Sequence, residues 1–141
     1  MGSVIIYFLA SRYTFFIFSL LAPAVLVLQN GYLGREINKN VPYLSWIWAN
    51  FDGVHYLNIA TLGYRNFDFA FFPLYPLSIN IVDRFFSVPV LYLAIIISLI
   101  FFFLAIVTSY KIILLDYNDS LARLSLFFLM KSISELIPFS L

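Results

Sequence analysis

Cysteine is absent from this sequence of 141 residues, and histidine occurs once, as His55. The chain therefore has no disulfide framework, no thiolate metal site and no cysteine nucleophile, and a metal site would depend on carboxylates or an outside partner. Charged residues are also scarce: they make up 11% of the chain, against about 25% in an ordinary soluble domain. This low charge density nearly excludes a water-soluble globular domain.

The chain is instead rich in apolar residues: 63% are hydrophobic and 21% are aromatic, with a mean hydropathy of +0.97. This composition excludes a disordered chain, which needs low hydrophobicity and high net charge. The formal net charge of +1 comes from scattered residues, so no nucleic-acid partner is indicated. We expect an all-α, multi-pass integral membrane protein, located in the plasma membrane of a prokaryote or the endoplasmic reticulum of a eukaryote.

Charge-free intervals predict where the chain crosses the bilayer. The first transmembrane helix is predicted over 4–28, because no charge separates Arg12 from Arg35. A second transmembrane helix is predicted over 88–115, most of which lies in the longest uncharged interval of the sequence, 85–110. Helices of this length cross a hydrocarbon core of about 30 Å. The whole chain, 1–141, is predicted to form one membrane domain with polytopic topology.

Two other apolar segments are less regular. In the segment 69–86, Pro73 and Pro76 interrupt a helical hydrogen-bond ladder, which predicts a proline-broken membrane segment. A last apolar run meets Lys131 after about nine residues, too few for a span. We therefore predict an incomplete or altered membrane segment over 121–138.

A long loop, 29–68, lies between the first transmembrane helix and the proline-broken segment. It holds both tryptophans, the histidine and four of the five glycines, and connections longer than about 12–15 residues are usually functional or disordered. Its aromatic content argues against disorder. We predict an extracytoplasmic first loop with an amphipathic interfacial helix over about 45–62, stopped by Gly63. A shorter helix that begins at Phe51, capped by Asn50, is the alternative.

Asp52 and His55 are the candidate chemical groups of this loop. Residues three apart on a helix face the same way, and a carboxylate beside an imidazole can work as a positioned general base. On spacing alone, however, the pair more often forms a solvated polar face of an interfacial helix.

A longer pattern surrounds this pair. Residues 51–60 read FDGVHYLNIA, Gly63 and Tyr64 follow, and residues 71–77 read FFPLYPL. This ordered set of motifs resembles the first luminal region of the PIG-V-type mannosyltransferases, which are membrane-embedded glycosyltransferases of the GT-C class. The likeness extends over about 12–129, which corresponds to the front third of a family member.

The resemblance implies an inverting transfer of mannose or another hexose from a polyprenyl- or dolichyl-phosphate sugar to a lipid-linked or surface acceptor. It maps the expected catalytic acid onto Asp52, as the general base that activates the acceptor hydroxyl. It also implies that His55 and Tyr56 orient the acceptor or contact the donor phosphate, with Tyr75 of the second motif as a further substrate-binding residue. Arg65 is a candidate cation for the phosphate, although its simpler interpretation is a positive charge flanking a membrane segment.

The expected partners are the polyprenyl-phosphate sugar donor, the lipid bilayer and a partner membrane subunit. No cofactor is required by the sequence, but a divalent metal could bind Asp52 together with a phosphate. Asp68 is expected to be a charge at the membrane interface and not a second catalytic acid.

Beyond Leu129 the sequence departs from the family pattern, since Lys131 and Glu135 replace the expected continuation of the apolar run. We therefore expect a front portion of a larger enzyme, truncated or altered near Met130 and inactive on its own. The alternative is a small non-catalytic membrane scaffold or accessory subunit that keeps the motifs without turnover.

Overall fold

The computed structural model describes residues 2–25, 41–49, 52–65 and 67–136, and these residues form helices and turns without a strand. The α-helices are α1 (Gly2–Val25), α2 (Asp52–Leu62), α3 (Leu74–Asp83), α4 (Val90–Asp116) and α5 (Asp119–Leu136). Two 3₁₀ helices, Tyr43–Ala49 and Asp68–Ala70, precede α2 and α3 respectively. The prediction of an all-α protein is confirmed for the described residues.

Two of these helices are long and apolar enough to cross a membrane. They are the stretch Val4–Ala22 within α1 and the whole of α4, Val90–Asp116. At about 1.5 Å per residue, the 27 residues of α4 extend roughly 40 Å, more than the hydrocarbon core requires. The bounds of α4 lie within two residues of the predicted span 88–115, whereas 26–28 of the predicted span 4–28 lie outside the described residues.

The predicted proline-broken membrane segment, 69–86, has a different structure. Its prolines lie at the start of a regular helix instead of interrupting one: Pro73 caps α3 and Pro76 lies in its first turn. The first backbone N–H groups of a helix have no intrahelical partner, so proline costs nothing there. At 10 residues, or about 15 Å, α3 is too short to span a bilayer.

The predicted single interfacial helix over 45–62 is also replaced by two elements. The 3₁₀ helix Tyr43–Ala49 ends before α2 begins at Asp52, which is close to the alternative start at Phe51; residues 50 and 51 lie outside the described part. An acidic residue in the first turn complements the positive end of the helix dipole. At the other end Gly63 has φ +78° and donates its N–H to Ile59 O at 3.0 Å, so the predicted glycine stop is confirmed.

Helix α5 is longer than the apolar run on which the prediction over 121–138 rested. It begins at Asp119, where the Asn118 side chain accepts a hydrogen bond from the Leu121 N–H at 3.0 Å, and it continues to Leu136. Lysine and glutamate are good helix formers, so Lys131 and Glu135 end the apolar run without ending the helix. Residues 137 and 138 lie outside the described part of the chain.

The chain divides into two compact units. The α1–α5 unit consists of Met1–Leu26 and Phe101–Leu141, and its buried core residues are Val4, Ile106, Tyr110, Ala122 and Leu126. The α2–α3 unit is Val27–Ile100, and its buried core residues are Val41, Trp46, Ala49, Leu57, Ala60, Ile79, Leu91, Ala94 and Ile97.

A side-chain hydrogen bond ties α3 to the end of α2 within the α2–α3 unit. The Asn80 side-chain amide donates to the Ala60 carbonyl at 2.7 Å, and Arg84 donates to the Asn80 side-chain oxygen at 3.0 Å. The contact lies close to Gly63, where the chain leaves α2. It therefore helps to fix the two helices that flank the connecting segment, 63–73.

Candidate functional site

The connecting segment between α2 and α3 turns twice. Gly63 and Phe67 both have left-handed backbone conformations, with φ +78° and +76°. Phenylalanine in this conformation costs about 1–2 kcal/mol relative to the right-handed region. The Asp68 N–H donates to Arg65 O at 3.1 Å and closes the second turn. The strained residue therefore sits directly before Asp68 and redirects the chain there.

Asp68 is the only polar or charged residue that is buried among the described residues, with 6% of its surface exposed. Its two carboxylate oxygens have different partners. Oδ2 accepts the Arg65 backbone N–H at 3.1 Å, and Oδ1 lies 3.2 Å from His55 Nδ1. A buried carboxylate is tolerated only when its hydrogen bonds are made. Asp68 thus joins the connecting segment to the exposed start of α2.

His55 is held on a second side by an aromatic ring. Its imidazole stacks on Phe71, with ring centroids 5.0 Å apart and an interplanar angle of 15°. Half of the His55 side-chain surface stays exposed. The ring is therefore fixed in its plane and in its direction while about half of its side-chain surface is left accessible.

Tyr56 continues this aromatic cluster towards α3. Its ring packs edge-on against Phe71 at 5.1 Å and against Tyr75 at 5.2 Å. The Tyr75 hydroxyl donates to Ala94 O at 2.9 Å, and burial raises the pKa of its phenol above the ordinary value. Tyr75 accordingly presents its ring, and not a free hydroxyl, to its surroundings.

The other two predicted site residues are exposed. Asp52 lies in the first turn of α2, and neither its carboxylate nor the Arg65 guanidinium has a hydrogen bond or an ion pair within the described ranges. Arg65 joins the network only through its backbone N–H. The structure thus brings His55, Tyr56 and Tyr75 together, whereas the side chains of Asp52 and Arg65 stay outside this cluster.

The carboxylate that pairs with His55 differs from the one predicted from the spacing. Asp52 and His55 are three residues apart on α2 as predicted, but the hydrogen bond of the imidazole goes to Asp68. Asp68 was expected to be an interface charge and is instead buried. The available sequence signal was a single acid enclosed by Phe67 and Phe69, which is an unusual setting for a charge that stays in water.

No cluster of three or more acidic or histidine groups that could hold a metal ion occurs within the described part of the chain. A divalent metal bound by Asp52 together with a phosphate stays a prediction.

Comparison with protein-family models, curated proteins and solved structures found no match to this chain. The likeness to PIG-V-type mannosyltransferases therefore rests on sequence motifs alone, among them 51–60, Gly63, Tyr64 and 71–77, and it stays a prediction.

Proposed function

We propose that the protein is a membrane glycosyltransferase, or part of one, that transfers a hexose, with mannose as the first candidate, from a polyprenyl-phosphate sugar to a hydroxyl acceptor. The observation that carries the proposal is the site at the start of α2. There the carboxylate of Asp52, which has no hydrogen bond or ion pair among the described residues, precedes by three residues a half-exposed His55 that is fixed by Asp68 and Phe71. The helices α1 and α4 support a membrane setting for a lipid-linked donor.

The reaction assigned to this site is a single inverting displacement. The acceptor oxygen attacks the anomeric carbon of the donor sugar on the side opposite the phosphate. Asp52 takes the proton of that hydroxyl, and polyprenyl phosphate leaves with the electron pair of the broken carbon–oxygen bond. Asp52 suits this role because no neighbouring group among the described residues occupies its carboxylate. A positioned general base contributes about 10²- to 10⁴-fold in rate.

The remaining site residues bind the two substrates in this proposal. His55 makes a polar contact at the accessible edge of its ring, while Tyr56 and Tyr75 form an apolar wall for a sugar ring. Arg65 is exposed, and its positively charged guanidinium binds the donor phosphate in this proposal. Charge on the departing phosphate would be stabilised by such a cation, which supplies the part of the rate that a base alone does not.

The test is hexose transfer in native membranes, where any partner subunit is present. Membranes that contain the protein are given a radiolabelled polyprenyl-phosphate hexose, and labelled lipid and surface acceptors are counted. We expect Asp52→Asn to lower the transfer rate by about 10²- to 10⁴-fold, because the amide cannot accept the proton.

Asp83→Asn is the matched control, because it removes a carboxylate from the last residue of α3 without touching the site. It should leave transfer unchanged. Wild-type transfer by Asp52→Asn would overturn the assignment of the base. Absence of hexose transfer from membranes that contain the wild-type protein would overturn the enzyme proposal and favour a non-catalytic scaffold or accessory subunit.

A further inference from the structure

The buried carboxylate of Asp68 makes one more hydrogen bond than the turn in the connecting segment requires. Closing the turn requires one acceptor for the Arg65 N–H, and a neutral asparagine or serine side chain often serves that purpose. A carboxylate also brings a charge, whose burial is costly unless it is compensated. The second oxygen supplies that compensation, because it lies 3.2 Å from His55 Nδ1.

This geometry determines which nitrogen of a neutral His55 carries the proton. A carboxylate only accepts hydrogen bonds, so the nitrogen that faces Asp68 must be the donor. The other nitrogen, Nε2, is then left with a lone pair. The stacked Phe71 ring prevents the imidazole from tilting away from this arrangement, because the two planes lie within 15° of each other.

We propose that Asp68 is a positioning residue, which holds His55 as the Nδ1–H tautomer so that Nε2 accepts a hydrogen bond from a hydroxyl of the sugar acceptor. This inference rests on the proposed glycosyl transfer and names a residue that the sequence motifs left out. Two residues of α2 then have separate roles. Asp52 takes the proton of the attacking hydroxyl, and His55 binds a neighbouring hydroxyl of the same acceptor. Asp68 itself touches neither substrate.

Asp68→Asn separates the positioning role from the structural one. The asparagine oxygen can still accept the Arg65 N–H and keep the turn closed. Its amide nitrogen, however, would face His55 as a donor, which favours the opposite tautomer with the proton on Nε2. The variant therefore keeps the fold and reverses the hydrogen-bonding character of the nitrogen that meets the acceptor.

The first measurement determines the His55 tautomer directly by nitrogen-15 NMR. His55 is the single histidine of the chain, so nitrogen-15 labelling of histidine gives one pair of ring signals for the protein in nanodiscs. For the neutral imidazole, we expect the proton on Nδ1 in the wild type and on Nε2 in Asp68→Asn. The same tautomer in both proteins, or a wild-type proton on Nε2, would overturn the positioning role. Asp119→Asn, in the α1–α5 unit, is the control and should leave the signals unchanged.

The second measurement is steady-state transfer with varied acceptor. We expect Asp68→Asn to raise the KM for the acceptor about tenfold, the effect of one lost hydrogen bond, with a smaller change in kcat than Asp52→Asn produces. An unchanged acceptor KM despite a reversed tautomer would overturn the contact with the acceptor. If the wild type transfers no hexose, the proposed function fails, but the tautomer measurement still decides whether Asp68 orients His55.

Discussion

The two compact units differ in how far an aspartate carboxylate is buried. In the α2–α3 unit, Asp68 is buried against His55 and a backbone N–H. In the α1–α5 unit, Asp119 keeps half of its side-chain surface exposed, while it pairs with Arg123 at 2.7 Å and accepts a hydrogen bond from Tyr110.

The difference separates a candidate site from ordinary helix stabilisation. Asp119 lies in the first turn of α5, where an acidic residue complements the helix dipole and an i,i+4 partner is common. Burial of Asp68 has no such local explanation, since a charge is costly to remove from water. The buried carboxylate of Asp68 therefore depends on its hydrogen bonds with His55 and the Arg65 N–H, whereas Asp119 is also stabilised by water.

The largest expected loss of stability comes from truncating a buried side chain in the core of either unit. Ile79 in α3 and Leu126 in α5 are both fully buried. Truncation of either residue to alanine should lower the free energy of unfolding by about 2–5 kcal/mol, through lost burial and the cavity left behind. Unfolding would be measured by denaturing-detergent titration of the protein in mixed micelles, with far-ultraviolet circular dichroism as the probe, since both tryptophans lie in the α2–α3 unit.

Each core variant has a matched control on the same helix. Ile81 and Leu124 are 47% and 50% exposed, so Ile81→Ala and Leu124→Ala should each cost less than about 1 kcal/mol. A cost for Leu124→Ala as large as that for Leu126→Ala would contradict the assignment of the α1–α5 core. A cost for Ile81→Ala as large as that for Ile79→Ala would contradict the assignment of the α2–α3 core.

The two carboxylates provide the next contrast. Asp68→Ala leaves the Arg65 N–H and the His55 ring nitrogen without their acceptor, and we expect a loss of about 2–3 kcal/mol in the free energy of unfolding. Arg123→Ala removes the exposed ion pair of Asp119 and keeps the acceptor of the Tyr110 hydroxyl, so it should cost about 1 kcal/mol or less. Equal costs in the same detergent titration would remove the distinction between the two units.

The sequence predicted the helices better than it predicted the site. Long uncharged runs gave the approximate bounds of α4, and Gly63 gave the end of α2, because both signals are local. The start of α3 was missed because Pro73 and Pro76 were interpreted as interruptions, although prolines are equally suited to a first turn.

The site could be predicted only in part. Residues 52, 55, 56 and 75 were selected from motifs, and three of them meet in the aromatic cluster. The partner of His55 was missed because it lies 13 residues away, across a turn that depends on the left-handed backbone of Phe67. Phenylalanine carries no sequence signal for that conformation, which glycine and asparagine usually adopt.

The turns that follow α2 and α4 differ as well, and Gly63 tests the first of them. Its φ of +78° is strained for any residue with a side chain, although no atom lies within 4 Å of an added Cβ. Gly63→Ala should therefore lower the free energy of unfolding by about 1–2 kcal/mol through backbone strain alone. Gly63→Asn should cost less, because asparagine tolerates this conformation better. An alanine variant as stable as the wild type would show that the turn relaxes without loss.

In the connection from α4 to α5, a hydrogen bond from the Leu121 N–H to the Asn118 side chain fixes the turn, whereas Gly63 ends α2. Asn118→Ala is therefore the corresponding test there. The Asn118 side chain accepts the Leu121 N–H at 3.0 Å, which satisfies one of the unpaired donors of the first turn of α5. Its removal should cost about 1 kcal/mol in the same titration, and Asn118→Ser should restore most of the stability because serine is also a good cap. If serine and alanine were equally destabilising, the cap would not be the reason for the loss. The turn of the α1–α5 unit would then depend, like that of the α2–α3 unit, on backbone conformation.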